Sequence, residues 1–597
     1  MNSDNRIFDR LLTVLIAAGT LFSALFVASA LPDALLHNSD ILYAPAFFDD
    51  LWQGVDISGW ALTPAPYFFP DLVVYGGVDA LLRLLDASTA TRIDMALRLT
   101  AAVFYLLNGA GFVLLLKEMR PVSYRGGFLI WTTISILFLQ LPFFSAPFLA
   151  AHVLTHHSGL LPVVLFFWAL WLRKAKPVDA SFLALLRANA VRYLAVLFVL
   201  PTLISDAQLL PLLFIPAFLL AGYGVFFLGD KLRHAVDVFL LFLVWLLAER
   251  LIPRIRYTVV FFPSVEGRPA LEALLTVSPD RILRIASDHE FVIALLLFLI
   301  SAFLLWVNHR FFKRRDQAPG ATNLSFETLD TDRQSFRAEA ALLLGAGAGL
   351  LAALVFHVGL SAHLDDVPPI TGRYLHFLFV TVFPFVPALL VLSLSSRLRR
   401  SLARRRQREQ DGRPAARLLQ RFQSDGLILL CFSLVPFAMP AVRPGLFPVS
   451  GLLSRGQRSA AAREAQCLRD VAIMHGVRGP LYGISDYWHA KKLSVFAEQV
   501  RLLPVELDEP TKLYFWISNL SWFDDEQIVY RFVVIDGLDR EMIAGLYGEP
   551  ASRDRCAGME IWWYGDDSPI RHEPARLREF ARVIGIPYRA SRGEGAR

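Results

Sequence analysis

Apolar residues fall along this chain in long runs and not in helical stripes. Residues 11–31, LLTVLIAAGTLFSALFVASAL, hold no charge over a length that matches the ~20 residues a helix needs to cross a hydrocarbon core. Comparable runs follow at 97–116, 127–150, 158–172, 191–205, 209–228, 235–252, 291–307, 338–360, 375–396 and 426–441. The pattern predicts an all-α polytopic membrane bundle of eleven helices. Basic residues gather at alternate turns: Arg6 and Arg10, then Lys117, Arg120 and Arg125, then RKAKP, Lys231 with Arg233, HRFFKRR, and a tract at 397–421 holding ten arginines. Loops rich in Lys and Arg stay in the cytoplasm, so the N-terminus is expected inside and the residues after the last span outside. The first run lacks a convincing small-residue cleavage site and is read as a retained helix rather than a signal peptide.

Polar and half-apolar segments fill the expected outer side. A first outer loop covers 32–96, with stretches such as FFPDLVVYGGVDALLRLL that suit helices lying on the interface. The membrane domain is expected over 1–441, with a basic cytoplasmic loop at 397–425. After about residue 442 the pattern changes. REAQCLRDVAIMHG, SDYWHAKKLSVFAEQ and LDREMIAGLYG have helical spacing, while VRLLPVEL, LYFWIS, YRFVVIDG and MEIWWYG are β-branched and aromatic. The mixture predicts a small C-terminal α/β domain over 442–597, expected to be periplasmic.

Composition narrows the class. Of 597 residues 55% are hydrophobic and 19% charged, and mean hydropathy is +0.46, too apolar for a soluble enzyme of this size. The net charge of +6 adds little, because its distribution carries the topology. The arginine tract is a topology determinant and a candidate site for anionic lipid; without interleaved aromatics it argues against nucleic acid as a partner. Cys467 and Cys556 lie in the C-terminal domain and Cys431 in the last run. An oxidising outer compartment favours a Cys467–Cys556 disulfide over two buried free thiols.

Ionisable residues cluster at the outer hairpin ends: Asp40, Asp49, Asp50 and Asp71 in the first loop, His152, His156 and His157 in the second, Asp206 in the third, Arg254 and Arg256 in the fourth, and Asp365, Asp366, Arg373 and Tyr374 in the fifth. Charge near membrane depth is expensive and marks function by default. Carboxylates can deprotonate a hydroxyl or hold a divalent metal, and arginines offer bidentate hydrogen bonds to phosphate. The mixture suits transfer from a phosphate-bearing lipid donor. His152 and His156, spaced i, i+4, are a candidate metal pair. Three histidines suit magnesium or manganese poorly, so contact with donor or acceptor is the preferred reading for all three, while Asp206 is read equally as a substrate contact or as the cap of its turn. Asp40 has capping of an interfacial helix as its competing role; Asp49 and Asp50 share an amphipathic stretch, and Asp71 follows a proline where a helix can start.

The acidic, aromatic loop after the first span, with HNSDILYAPAFFDDLW and DISGWALTPAPYFFPDLVVY, resembles the first luminal loop of the GT-C superfamily of polyprenyl-phosphate-sugar-dependent glycosyltransferases, which includes protein O-mannosyltransferases and aminoarabinose transferases. THHSGLLPVVLFF, LPTLISDAQLLPLLFIPA and GRYLHF are similar to bacterial members, and the resemblance covers roughly residues 10–395. It implies a multi-pass protein of the bacterial inner membrane that moves a sugar from a polyprenyl-phosphate donor to a glycan, lipid or protein acceptor with inversion. Carried over, the first acid after span one, Asp40, is the general base. The usual acidic pair is absent, since Ile41 follows Asp40, which keeps Asp49, Asp50 and Asp71 open for that role. Arg373 with Tyr374, and then Arg254 and Arg256, would hold the donor phosphate. Some members hold a divalent metal, magnesium or manganese, at this face; others do not. A lipid-linked glycan transporter or flippase and a non-catalytic envelope assembly protein are the competing readings. The first predicts charged or broken segments near mid-membrane in repeated halves, and the second predicts that Asp40 is dispensable. GAGAGL at 345–350 lies inside a span and is read as small-residue helix packing, and Asn519 opens a glycosylation sequon of little weight.

Overall fold

The structure, a computed structural model, describes residues 3–62, 65–85, 88–119, 122–155, 157–173, 189–206, 208–227, 231–258, 289–316, 339–355, 375–389, 459–497, 499–506, 512–514, 517–525 and 527–571, with single positions at 280, 286, 392 and 510. The fold is mostly helical. The chain divides into two compact units, one of Met1–Ala30, Ala101–Ala248 and Arg268–Pro444, the other of Leu31–Thr100, Glu249–Gly267 and Gly445–Arg597. The first loop and the C-terminal residues, read from sequence as parts of different domains, thus belong to one unit.

Helices of the first unit stand where the apolar runs do. Ser3–Ala30, Leu160–Trp171, Ala190–Ser205, Lys231–Thr258 and His289–Asp316 each overlap one predicted span. The run at 127–150 is two helices, Tyr124–Gln140 and Pro142–Ala150, because Leu141 turns to an extended conformation ahead of Pro142. By length and composition, Arg10–Ala30 and Thr89–Met119 suffice to cross a membrane among the described residues, while Leu160–Trp171, Ala190–Ser205, Leu210–Phe226, Phe291–Val307, Glu339–Val355 and Phe377–Leu389 are shorter apolar helices. The run at 426–441 lies outside the described residues. Within GAGAGL, a Cβ on Gly345 would stand 2.6 Å from the Leu212 carbonyl oxygen, so glycine there permits a close helix approach. Near the start of Ala190–Ser205, the Arg192 guanidinium lies over the Trp171 ring at 4.3 Å and pairs with buried Asp237 through Nε at 2.9 Å.

Among the described residues the strands of the second unit are β1 (Trp60–Ala61), β2 (Leu481–Asp486), β3 (Val500–Val505), β4 (Ser518–Asn519), β5 (Tyr530–Val534), β6 (Ser552–Cys556) and β7 (Met559–Trp563). Five of them form a mixed sheet in the order β3-β2-β5-β7-β6. β2 runs parallel to β3 and to β5, while β7 is antiparallel to β5 and β6. Helix Tyr487–Phe496 makes the β2-to-β3 crossover, and helices Ala460–Met474 and Arg540–Tyr547 belong to the same unit. Ser459, Asp486 and Asp539 cap these three helices, each accepting a backbone N–H. A separate two-residue ladder pairs β1 with β4, antiparallel, and so ties the first loop to the C-terminal residues. The core follows that connection: Ala61 packs in one buried cluster with Ile484, Leu503, Tyr530, Val533 and Trp562. Cys467 and Cys556 form a disulfide, Cα atoms 5.9 Å apart, tying Ala460–Met474 to the edge strand β6.

Of LYFWIS, read as a strand, the described residues contribute Ser518 to β4 and Leu513 to an isolated bridge with Val505. Three strands escaped the pattern, the two-residue β1 of the first loop among them. β6 is SRDRC, a half-exposed edge strand with no apolar face, and β2 is LYGISD, whose central Gly483 has Phe532 packed where a Cβ would point, 2.5 Å away.

Candidate functional site

Helix Ser39–Gln53 carries three of the four loop aspartates. Asn38 caps it, its side-chain oxygen accepting from the Asp40 N–H at 2.9 Å, so the capping role weighed for Asp40 belongs to its neighbour two residues back. Asp40 lies in the first turn, where a carboxylate is favoured by the helix dipole. Its Oδ1 accepts a hydrogen bond from the Tyr487 hydroxyl at 3.0 Å. The Ser39 hydroxyl donates to the Trp488 carbonyl at 3.1 Å, so the starts of helices Ser39–Gln53 and Tyr487–Phe496 are pinned side by side.

At the other end of the same helix the acids are consumed by structure. Asp49 accepts from Arg92 Nη2 at 2.8 Å and from Arg83, and both arginines also bind buried Asp79, through Arg83 Nε at 2.8 Å and Arg92 Nη1 at 2.5 Å. Two carboxylates thus meet two guanidiniums. Asp50 is fully buried and accepts from Trp60 Nε1 at 2.9 Å, Trp522 Nε1 at 2.9 Å and Asn519 Nδ2 at 2.7 Å. Burial raises its carboxyl above the usual range, against the opposing pull of these donors and of Arg501. Lys491 is buried nearby, its ammonium 5.0 Å from the Trp60 ring centre and 5.3 Å from that of Trp522. Burial lowers it to about 7, with Asp50 pulling the other way. Asp71 is buried, and the Tyr43 phenol is raised well above normal by its own burial and then by the Asp71 charge; that phenol donates to the Pro66 carbonyl at 2.6 Å.

The second unit also holds groups that the sequence did not single out. Arg98, fully buried, donates through Nη2 to Asp33 at 2.5 Å, through Nε to Asp94 at 3.0 Å and through Nη1 to the Leu31 carbonyl at 2.8 Å, and His37 reaches Asp94 at 3.3 Å. Asp79 with Arg83 and Asp94 with Arg98 are i, i+4 pairs, the one signal in the sequence that pointed to them.

In the first unit two predicted residues meet: His157 Nδ1 and Asp206 Oδ2 lie 2.7 Å apart, and the other Asp206 oxygen accepts from the Gln208 N–H at 3.0 Å. Asp206 therefore caps its turn and holds a histidine. His157 sits at φ +60°, a left-handed conformation that non-glycine residues seldom adopt. His152 is fully buried; Nδ1 lies 2.7 Å from the Phe148 carbonyl, and Nε2 has no hydrogen-bond partner among the described residues. Burial lowers its imidazole to about 4. His156, Arg373 and Tyr374 lie outside the described residues. Arg254 and Arg256 are in helix Lys231–Thr258. Among the described residues no three His, Cys, Asp or Glu side chains gather closely enough to hold a metal ion.

No family model, curated protein or solved structure matches the chain.

Proposed function

We propose that the chain is an integral inner-membrane glycosyltransferase of the GT-C type, with eleven spans, that transfers a sugar from a polyprenyl-phosphate donor to an acceptor on the periplasmic face. The observation that carries this reading is the division of labour among the loop aspartates. Asp49 is matched by two guanidiniums, Asp50 is fully buried under three N–H donors, and Asp71 is buried. Asp40 is partly exposed at a helix start and held by a phenol, which is the setting a general base needs. In the reaction the Asp40 carboxylate takes the acceptor hydroxyl proton as that oxygen bonds to the anomeric carbon. The bond from that carbon to the phosphate oxygen breaks, the electron pair leaves with the lipid phosphate, and the configuration inverts. Arg373, with Tyr374, and Arg254 or Arg256 would stabilise charge growing on the phosphate.

The test is a deletion strain complemented with wild type or Asp40→Asn at matched expression, with surface glycans and lipids read by mass spectrometry. Loss of one specific sugar in both the deletion and the variant is the expected result. A sugar lost in the deletion but restored in full by Asp40→Asn would overturn Asp40 as the base and favour a non-catalytic assembly role.

A further inference from the structure

The surroundings of Asp40 carry a second observation, made of aromatic rings. Tyr487, whose hydroxyl holds Asp40, is buried, and its ring meets those of Trp488 and Tyr514 edge-on, with centroids 5.0 Å and 5.3 Å away. The two outer rings are open: Trp488 is 49% and Tyr514 41% exposed. Leaving large aromatic faces in water forfeits the free energy of burying them, and here two such faces flank the tyrosine that holds Asp40. Their backbone is fixed, because the Trp488 carbonyl accepts from Ser39 and the Tyr514 N–H donates to the Pro504 carbonyl at 3.0 Å. Burial, with the charges of Asp40 and Glu506, raises the Tyr514 phenol and keeps it a hydroxyl donor.

Topology singles out the same place. β2 has parallel neighbours on both sides, and the chain leaves it through helix Tyr487–Phe496 toward β3, reaching β5 on the other flank later. The carboxyl end of β2 is therefore a switch point, where open α/β sheets bind ligands. Tyr487 and Trp488 are the first two residues past that end.

We propose that Trp488 and Tyr514 form a saccharide subsite beside Asp40, so that the acceptor is a glycan and not a protein or a lipid. A pyranose has an apolar C–H face that lies flat on an aromatic ring and a rim of hydroxyls that a carboxylate and a phenol can hold. Stacking on either open ring would bring such a hydroxyl toward Asp40. The inference rests on the reading of Asp40 as the base and narrows its acceptor.

The probe is the surface glycan isolated from the deletion strain, titrated into the full chain purified in detergent and followed by saturation-transfer NMR. Wild type is expected to bind it. Trp488→Ala and Tyr514→Ala each weaken binding about tenfold or more, and Trp488→Phe, which keeps a stacking face and reports on folding, stays within about threefold. Binding by the alanine variants equal to wild type overturns the subsite, as does wild-type protein that ignores the glycan. Transfer traced to a protein or lipid acceptor overturns it too. Full transfer by Asp40→Asn with aromatic-dependent binding intact would remove the general base and leave the subsite standing, so the two failures are distinct.

Discussion

The two ends of helix Ser39–Gln53 handle the same side chain in opposite ways. At its start Asp40 is partly exposed and held by a phenol that open rings flank; at its end Asp49 and Asp50 are enclosed by guanidiniums and by indole and amide donors. Residue type cannot separate them, because all three are aspartates among aromatics on one short helix. What separates them is the partner each meets, and for Asp40 and Asp50 the partner comes from residues 447 and 469 positions later. A buried carboxylate ringed by donors suits a fixed scaffold, whereas a partly open one can exchange a proton.

Substitutions sharpen the contrast, taken from the largest expected effect on stability to the smallest. Asp50→Ala strands three N–H donors and leaves Lys491 without its nearby carboxylate, an expected loss of about 3–5 kcal/mol. It is measured as hydrogen-exchange protection of peptides covering 517–525 in the full chain. Asp49→Ala leaves two arginines on one carboxylate and is expected to lower protection around 73–85 by about 1–3 kcal/mol, less because the pair is partly open to water. Lys491→Met changes the pH response more than the stability. Between about 7 and the ordinary lysine range the unfolded chain binds a proton that the folded chain lacks, so wild-type protection rises with pH across that window. Methionine removes that rise. Asp50 contributes in the other sense: its raised carboxyl keeps a proton in the folded chain, so its share of stability falls as pH climbs above the ordinary carboxylate range. Asp40→Asn is expected to move protection by no more than about 0.5 kcal/mol while reducing sugar transfer by about a hundredfold or more. An Asp40 variant that unfolds the loop as Asp50→Ala does would erase the contrast.

Much of the helical pattern was legible, because a run of apolar residues at helical length leaves the backbone few alternatives. Strands with an apolar face, β3, β5 and β7, were legible for a similar reason. β2 and β6 were not: one depends on a glycine that makes room for Phe532, and the other is polar because it lies at an edge. At the site, Asp40 took its rank from position and resemblance, yet nothing local announced Tyr487, Trp488 or Tyr514. Lys491 reads as half of an exposed KK pair, and its burial against Trp60 and Trp522 is a property of the fold alone. The His157 and Asp206 contact lay equally out of reach, since the two residues sit on separate hairpins.

The bond between Asn519 and Asp50 also sets a timetable. The residues are 469 apart in sequence, and at ribosomal speeds of about 5–20 residues per second the donor is made roughly 25–95 s after the acceptor. During that interval the loop holds an aspartate that has Trp60 beside it but not yet Asn519 or Trp522. Completion of the loop is thereby made conditional on a finished tail, and a nascent chain that stalls in between would present an unfilled carboxylate to proteolytic surveillance.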